Sequence, residues 1–294
     1  MGGDAMLFSE YSLLGAENKK ICQHFNVVNS EIINQIIELG KIIREVIYNL
    51  KYDMENGRQV ISLCLLFKAT NALESIVLLC QVGLYADAKI LLRSLFETNC
   101  VLMANLRDDT FMDKYIKKDQ KDMYKKLRII RENVDCFYTL PNIEICLENL
   151  SNQEENLKKQ IKNVKDLKII ELAKLANAEK DYQIIYRLLC EETHCSPRVL
   201  EDYLVIENEK HVGYKDRESD SETAYFLSST AMDFLSRGLE LFISSFIPDY
   251  MFRFSDWYVE RIAFIENMNK EVRSKAEQKK YDEIKDINFI HLSK

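Results

Sequence analysis

From Ile21 to Leu50 apolar residues recur three and four positions apart, at Ile32, Ile33, Ile36, Ile37, Ile43 and Ile47, with Glu, Lys and Arg between them. That spacing gathers the apolar groups on one side of an α-helix, so the stretch is expected to form an amphipathic helix. Arg58 to Cys80 predicts a second helix ended by a turn at Gly83, and Tyr85 to Leu106 a third. The short connection makes these two an antiparallel hairpin. Phe111, Tyr115, Met123, Leu127 and Ile130 keep helical spacing through a segment with eight basic and several acidic residues. A solvated helix laced with ion pairs explains that mixture better than a nucleic-acid-binding face.

Beyond Pro141 a polar helix is expected around Asn142 to Asn163, then another with Asp166 as its N-cap. Lys180 to His194 reads as an apolar helix, and Ser196 before Pro197 as the start of a short one. The polar run from Ile206 to Ser221, with Gly213, reads as a mobile loop or small hairpin. Ser221 to Phe246 and Ser255 to Lys285 predict two final helices separated at Pro248. The expected fold is all-α, a bundle of roughly eight to ten helices in a single domain. Residues 1–20 are assigned to an N-terminal tail, 21–250 to the helical core and 251–294 to a C-terminal helix and tail.

Composition narrows the picture. Hydrophobic residues make up 47% and charged residues 30% of the 294, with only eight Gly and three Pro. That balance belongs to a packed chain with few, long elements, since sheets joined by tight hairpins consume Gly and Pro. A formal charge of −7 argues against a surface that tracks nucleic acid everywhere, while leaving room for a local basic face. The eight cysteines, Cys22, Cys64, Cys80, Cys100, Cys136, Cys146, Cys190 and Cys195, form no C-x-x-C pair and read as reduced core thiols. Cys190, His194 and Cys195 lie close together but lack a second group of ligands elsewhere, so no metal and no cofactor is expected.

The N-terminus lacks the basic-then-apolar layout of a signal peptide, which points to a cytoplasmic protein. The most apolar stretches, Val60 to Cys80 and Tyr225 to Ile247, are interrupted by Lys68 and Glu74 in the first and by Asp233, Arg237 and Glu240 in the second. Both read as buried core helices rather than membrane spans.

Two segments concentrate candidate chemistry. In DAKILLRSLFETNC, Arg93 and Glu97 lie four apart on one helix face amid Leu91, Leu92, Leu95 and Phe96. Charges in such surroundings need partners, so the pair is expected to be largely buried, bonded to itself or to Lys68, Asn71 or Glu74 of the preceding helix. The competing reading has them line a polar cleft, with Arg93 holding a phosphate or carboxylate. In YRLLCEETHCSPR, Arg187 and His194 are seven apart, two helical turns or about 10 Å. Tyr186, Glu191 and Ser196 are their polar neighbours. His194 is expected in the same cavity as Arg93 and Glu97, because two apolar helices with polar groups on one face satisfy both faces by meeting.

LLRSLFE preceded by GLYADA, then an ELAKLA helix and YRLLCEETHCS, resembles a widespread bacterial family of unknown function with an R-S-L-F-E helix and a distant Y-x-x-L-S-x-x-x-H-x-S helix. The resemblance covers about Val60 to Leu204. Cys190 and Cys195 stand where Ser and Pro or Gly would be expected. More loosely, Arg187, six intervening residues and His194 are similar to the active-site spacing of the HEPN ribonuclease superfamily, with Leu188 at a position often polar there. That similarity implies metal-independent RNA cleavage at a dimer interface. His194 would take the proton of a ribose 2′-hydroxyl, Arg187 would neutralise charge on the scissile phosphate, and Glu191 would fix the His194 tautomer.

The first expectation for function is therefore an HEPN-like endoribonuclease acting as a toxin or defence effector, a possible homodimer, with RNA or another phosphate-bearing ligand as partner. The alternative is a non-enzymatic interaction or anionic-ligand-sensing module. A metal-dependent hydrolase and nucleotide-binding folds fall behind, because H-E-x-x-H, G-x-x-x-x-G-K-[ST] and G-x-G-x-x-G are all missing from the sequence.

Overall fold

The computed structural model describes residues 16–133, 165–192, 197–207, 210–214 and 220–268, with a few single positions and one short helical piece between 152 and 161, and residue 270. Ten helices and one hairpin occupy these residues: α1 Ala16–Val28, α2 Ser30–Asn49, α3 Gly57–Gln81, α4 Tyr85–Arg107 and α5 Phe111–Glu132. Then come α6 Ile169–Leu175, α7 (residues 179–192), α8 Pro197–Leu200, β1 Leu204–Glu207, β2 Lys210–Tyr214, α9 Ser221–Phe246 and α10 (residues 251–268). The fold is an all-α multi-helix bundle.

The centre is built by α3, α4 and α9, which pack on one another along their lengths. Leu66, Ala69, Ile76, Leu92, Leu95, Phe96, Leu235, Leu239 and Phe242 fill the space between them. Among the described helices α3 is long and apolar enough to cross a membrane. Here its inner face, including Leu66, Ala69 and Cys80, is fully enclosed by the bundle. Both apolar stretches turn one face into the core, while Cys64, Phe67 and Leu78 on the other side of α3 are exposed.

Local chemistry explains where elements begin and end. The Asn56 side chain caps α3 by accepting from the Gln59 N–H at 3.0 Å, and Asp220 caps α9 through Glu222 and Thr223. Gly83, at φ 74, closes α3, with the Leu84 N–H reaching back to the Leu79 carbonyl at 2.9 Å. Asn177 does the same after α6 at φ 56, where its short polar side chain tolerates the left-handed backbone. The short hairpin expected after residue 204 is present, as an antiparallel pair with a register shift between Val205 and Ile206.

Several boundaries differ from expectation. The single helix from Ile21 to Leu50 is two, because Asn29 leaves helical geometry at φ −101, ψ 16. Its N–H still bonds to the Phe25 carbonyl at 2.9 Å, so the chain bends rather than turns. α1 also starts at Ala16, inside the span assigned to a tail. Asp166 does not cap α6. Lys168 holds that position, its N–H bonded to the Glu171 carboxylate at 3.0 Å, while Asp166 pairs with Lys121 at 2.8 Å. The helix expected from Ser255 begins at residue 251, directly after a turn at Pro248–Tyr250. α10 is pinned by Phe254, Trp257 and Arg261; the 1%-exposed guanidinium of Arg261 bonds to Asp233, Gln35 and Ser229. Most of the helix expected around Asn142 to Asn163 lies outside the described residues.

Candidate functional site

On α4, Lys89, Arg93 and Glu97 follow one another at four-residue intervals and form a charged stripe beside the core positions Leu92, Leu95 and Phe96. α7 lies across this stripe. It runs through Glu179–Asp181, a π-helical turn at Tyr182–Tyr186 and Arg187–Glu192. The π turn is visible in the Arg187 N–H, which bonds to the Tyr182 carbonyl five residues back. It directs Tyr186 inward, where its ring stacks on Tyr182 at 5.1 Å and leans on Phe96 at 5.2 Å. Such turns recur where a helix must aim one side chain against the α-helical register.

The Tyr186 hydroxyl donates to Glu97 Oε1 at 2.7 Å and accepts from Arg93 Nε at 3.3 Å and Nη2 at 3.2 Å. Arg93 Nε also donates to Glu97 Oε1 at 3.2 Å. A phenol, a carboxylate and a guanidinium thus close a three-membered cluster. Burial, then the bond to Glu97, pushes the Tyr186 pKa well above the ordinary phenol value, with Arg93 opposing. Tyr186 therefore keeps its proton at neutral pH and acts as a donor. Although burial disfavours the charged Arg93, its bond to Tyr186 and the charge of Glu97 hold its pKa above the usual guanidinium value. A second link ties the same helices, Lys89 Nζ to Glu192 Oε1 at 2.7 Å.

The residues singled out in the sequence separate into three groups. Arg93, Glu97 and Tyr186 come together. Arg187 and Glu191 lie on the outer, exposed face of α7, and no hydrogen bond or ion pair engages Arg187 among the described residues. His194 and Ser196 lie outside the described residues, as does the expected meeting of His194 with Arg93 and Glu97.

Of the expectations for the Arg93–Glu97 pair, mutual pairing holds and enclosure does not. Their side chains remain 23% and 41% exposed, so the pair is half-buried. Tyr186 of α7 joins it, while Asn71 and Glu74 of α3 point to solvent. The cause is the position of the stripe, which sits at the edge of the core where α7 covers it only in part. The Lys89–Glu192 pair was missed, though the four-residue spacing of Lys89, Arg93 and Glu97 was a readable signal.

Beside Glu97 a cleft of about 290 Å³ opens between α3, α4, α5 and the start of α6. Lys68, Ser94, Glu97, Thr98 and Lys118 supply its polar lining. Leu65, Val101, Tyr115, Leu167, Ile169 and Leu172 supply the apolar part. On α5 itself the basic residues are largely matched: Lys114 with Asp108, Lys118 with Asp122, Lys121 with Asp166 and Arg128 with Glu132. Among the described residues no three His, Cys, Asp or Glu side chains converge as a metal site would require.

No curated protein and no solved structure matches the chain. A family of unknown function, DUF5677, matches residues 59–211. That span contains both halves of the Arg93–Glu97–Tyr186 cluster, and the chain belongs to this family.

Proposed function

We propose that the chain is a metal-independent endoribonuclease of the HEPN type, in which Arg187 of α7 acts on RNA together with His194, and the Arg93–Glu97–Tyr186 cluster holds α7 in place. The supporting observation is the contrast between adjacent residues. Tyr186 is locked inward by a donated and two accepted hydrogen bonds, while Arg187, one residue on, is an exposed guanidinium that no described residue engages. A rigidly mounted, outward-facing Arg seven residues before a His suits the recognition of a phosphate diester.

In the proposed step His194 removes the 2′-hydroxyl proton, and the 2′-oxygen attacks phosphorus. The bond to the 5′-oxygen breaks, leaving a 2′,3′-cyclic phosphate and a 5′-hydroxyl end, the departing oxygen taking a proton from solvent or from the imidazolium. Arg187 offsets the charge that grows on the phosphoryl oxygens. Arg93, Glu97 and Tyr186 are positioning residues.

A non-enzymatic interaction module is the second reading. Ile184 and Leu188, on either side of Arg187, are each 65% exposed, as a protein-binding face would have them. Incubating the protein with total RNA in EDTA separates the two. The ribonuclease reading expects cleavage that falls by a factor of about 10² or more in both His194→Ala and Arg187→Ala. No cleavage, or cleavage indifferent to both changes, removes it in favour of the module.

A further inference from the structure

The cleft beside Glu97 has a charge balance that selects what can occupy it. Lys118 is matched by Asp122 at 2.9 Å, and Glu97 by Arg93 at 3.2 Å. Lys68 also lines the cleft and makes no hydrogen bond or ion pair among the described residues. Among the described lining residues one positive charge is therefore left over. Ser94 adds a hydroxyl that is likewise unengaged, whereas Thr98 has turned its own hydroxyl onto the Ser94 carbonyl at 2.8 Å. The rest of the lining is mainly aliphatic, with Leu65, Val101, Ile169 and Leu172 among it.

We propose that this cleft binds a compact monocarboxylate with an apolar body, the carboxylate seated at Lys68 and Ser94 and the body on the aliphatic wall. The single unmatched cation favours a single negative charge. A phosphate dianion would carry a second charge, which among the described lining residues would face the already-matched Lys118 and the repelling Glu97 carboxylate. The volume, about 290 Å³, corresponds to roughly ten water molecules at ~30 Å³ each. It is at the small end for a ligand site, which restricts the body to a short chain or a single ring. The site lies on the α4 turn that also carries Arg93 and Glu97, but its occupancy can be read without any RNA.

Calorimetric titration of the full chain with benzoate, its neutral counterpart benzamide and the dianionic phenyl phosphate tests the assignment. The expected result is saturable one-site binding of benzoate, with benzamide and phenyl phosphate each at least tenfold weaker. Lys68→Gln, a change at an exposed helical position whose melting should match wild type, should weaken benzoate at least tenfold and leave benzamide as it was. Absence of saturable benzoate binding overturns the proposal. So does benzamide or phenyl phosphate binding as tightly as benzoate, or a Lys68→Gln protein with unchanged benzoate affinity.

Discussion

Tyr186 donates a 2.7 Å hydrogen bond to Glu97 across 89 residues of sequence, and this bond joins the two segments that the sequence marks as chemically distinctive. Tyr186→Phe keeps the ring packed on Phe96 and Tyr182 and removes only the hydroxyl. Urea denaturation should show a loss of about 1 kcal/mol with helicity unchanged, the usual worth of a hydrogen bond to a charged but partly solvated partner. An unchanged midpoint would mean that the hydroxyl adds nothing to the hold that ring packing and the Lys89–Glu192 pair already give α7.

The crossing of α4 and α9 depends on Gly238. A Cβ there would run into Asn99 Oδ1 and, at 2.9 Å, Leu102 Cδ2. Asn99 cannot easily give way, because it is buried and its amide donates to the Phe234 carbonyl at 2.6 Å. Gly238→Ala should therefore destabilise by about 1–3 kcal/mol despite the better helix propensity of Ala. A thermal melt at or above wild type would show that the helices can separate at no cost.

The helices were legible because their apolar spacing is regular over many turns; α3, α4 and α9 match expectation to within a residue or two. What escaped were features without a period. The bend at Asn29 is a single-residue departure, and the π turn before Arg187 inserts its extra residue inside an unbroken apolar run. Arg261 sits in a helix that looks solvated, and only the Phe254, Trp257, Arg261 stripe shows which side is inward. Of the candidate cluster, Arg93 and Glu97 were readable as a pair and Tyr186 as a polar neighbour of Arg187, but not as the group that joins them. Their exposure was not, since apolar neighbours in sequence say nothing about how completely another helix covers a face. Asp166 illustrates the same limit: a good capping residue was drawn instead to two lysines of a distant helix.

Asp108 should make the protein sensitive to acid. The Thr110 hydroxyl, the Lys114 ammonium and the Thr110 N–H donate to its carboxylate and hold its pKa at about 2, below the ordinary carboxylate range. A carboxyl with a lowered folded pKa stabilises above its unfolded pKa, and the contribution fades as pH falls through the folded one. Because the carboxylate remains partly open to water, screening limits its worth at neutral pH to about 1 kcal/mol. Asp108→Asn should be less stable than wild type at neutral pH, with the gap closing between about pH 4 and pH 2. A gap that persists at pH 2 would assign the effect to something other than charge.

Thiol reactivity should divide the described cysteines. Cys64 is exposed, whereas Cys80 and Cys100 are buried and their pKa values are pushed up to about 12, chiefly by burial. Iodoacetamide at neutral pH, followed residue by residue by mass spectrometry, should modify Cys64 about 10² times faster than either buried thiol. Comparable rates at Cys80 would contradict the packing of α3 against α9.

The central claim is that the Arg93–Glu97 helix and the Tyr186 helix form one cooperating site. A double-mutant cycle on unfolding free energy, with Glu97→Ala, Tyr186→Phe and the combination, measures this directly. A coupling energy of about 0.5 kcal/mol or more is predicted, because each change removes the same Tyr186–Glu97 bond and the second no longer finds it to break. Strict additivity would show the two motifs to be energetically separate and would withdraw the positioning role assigned to the cluster.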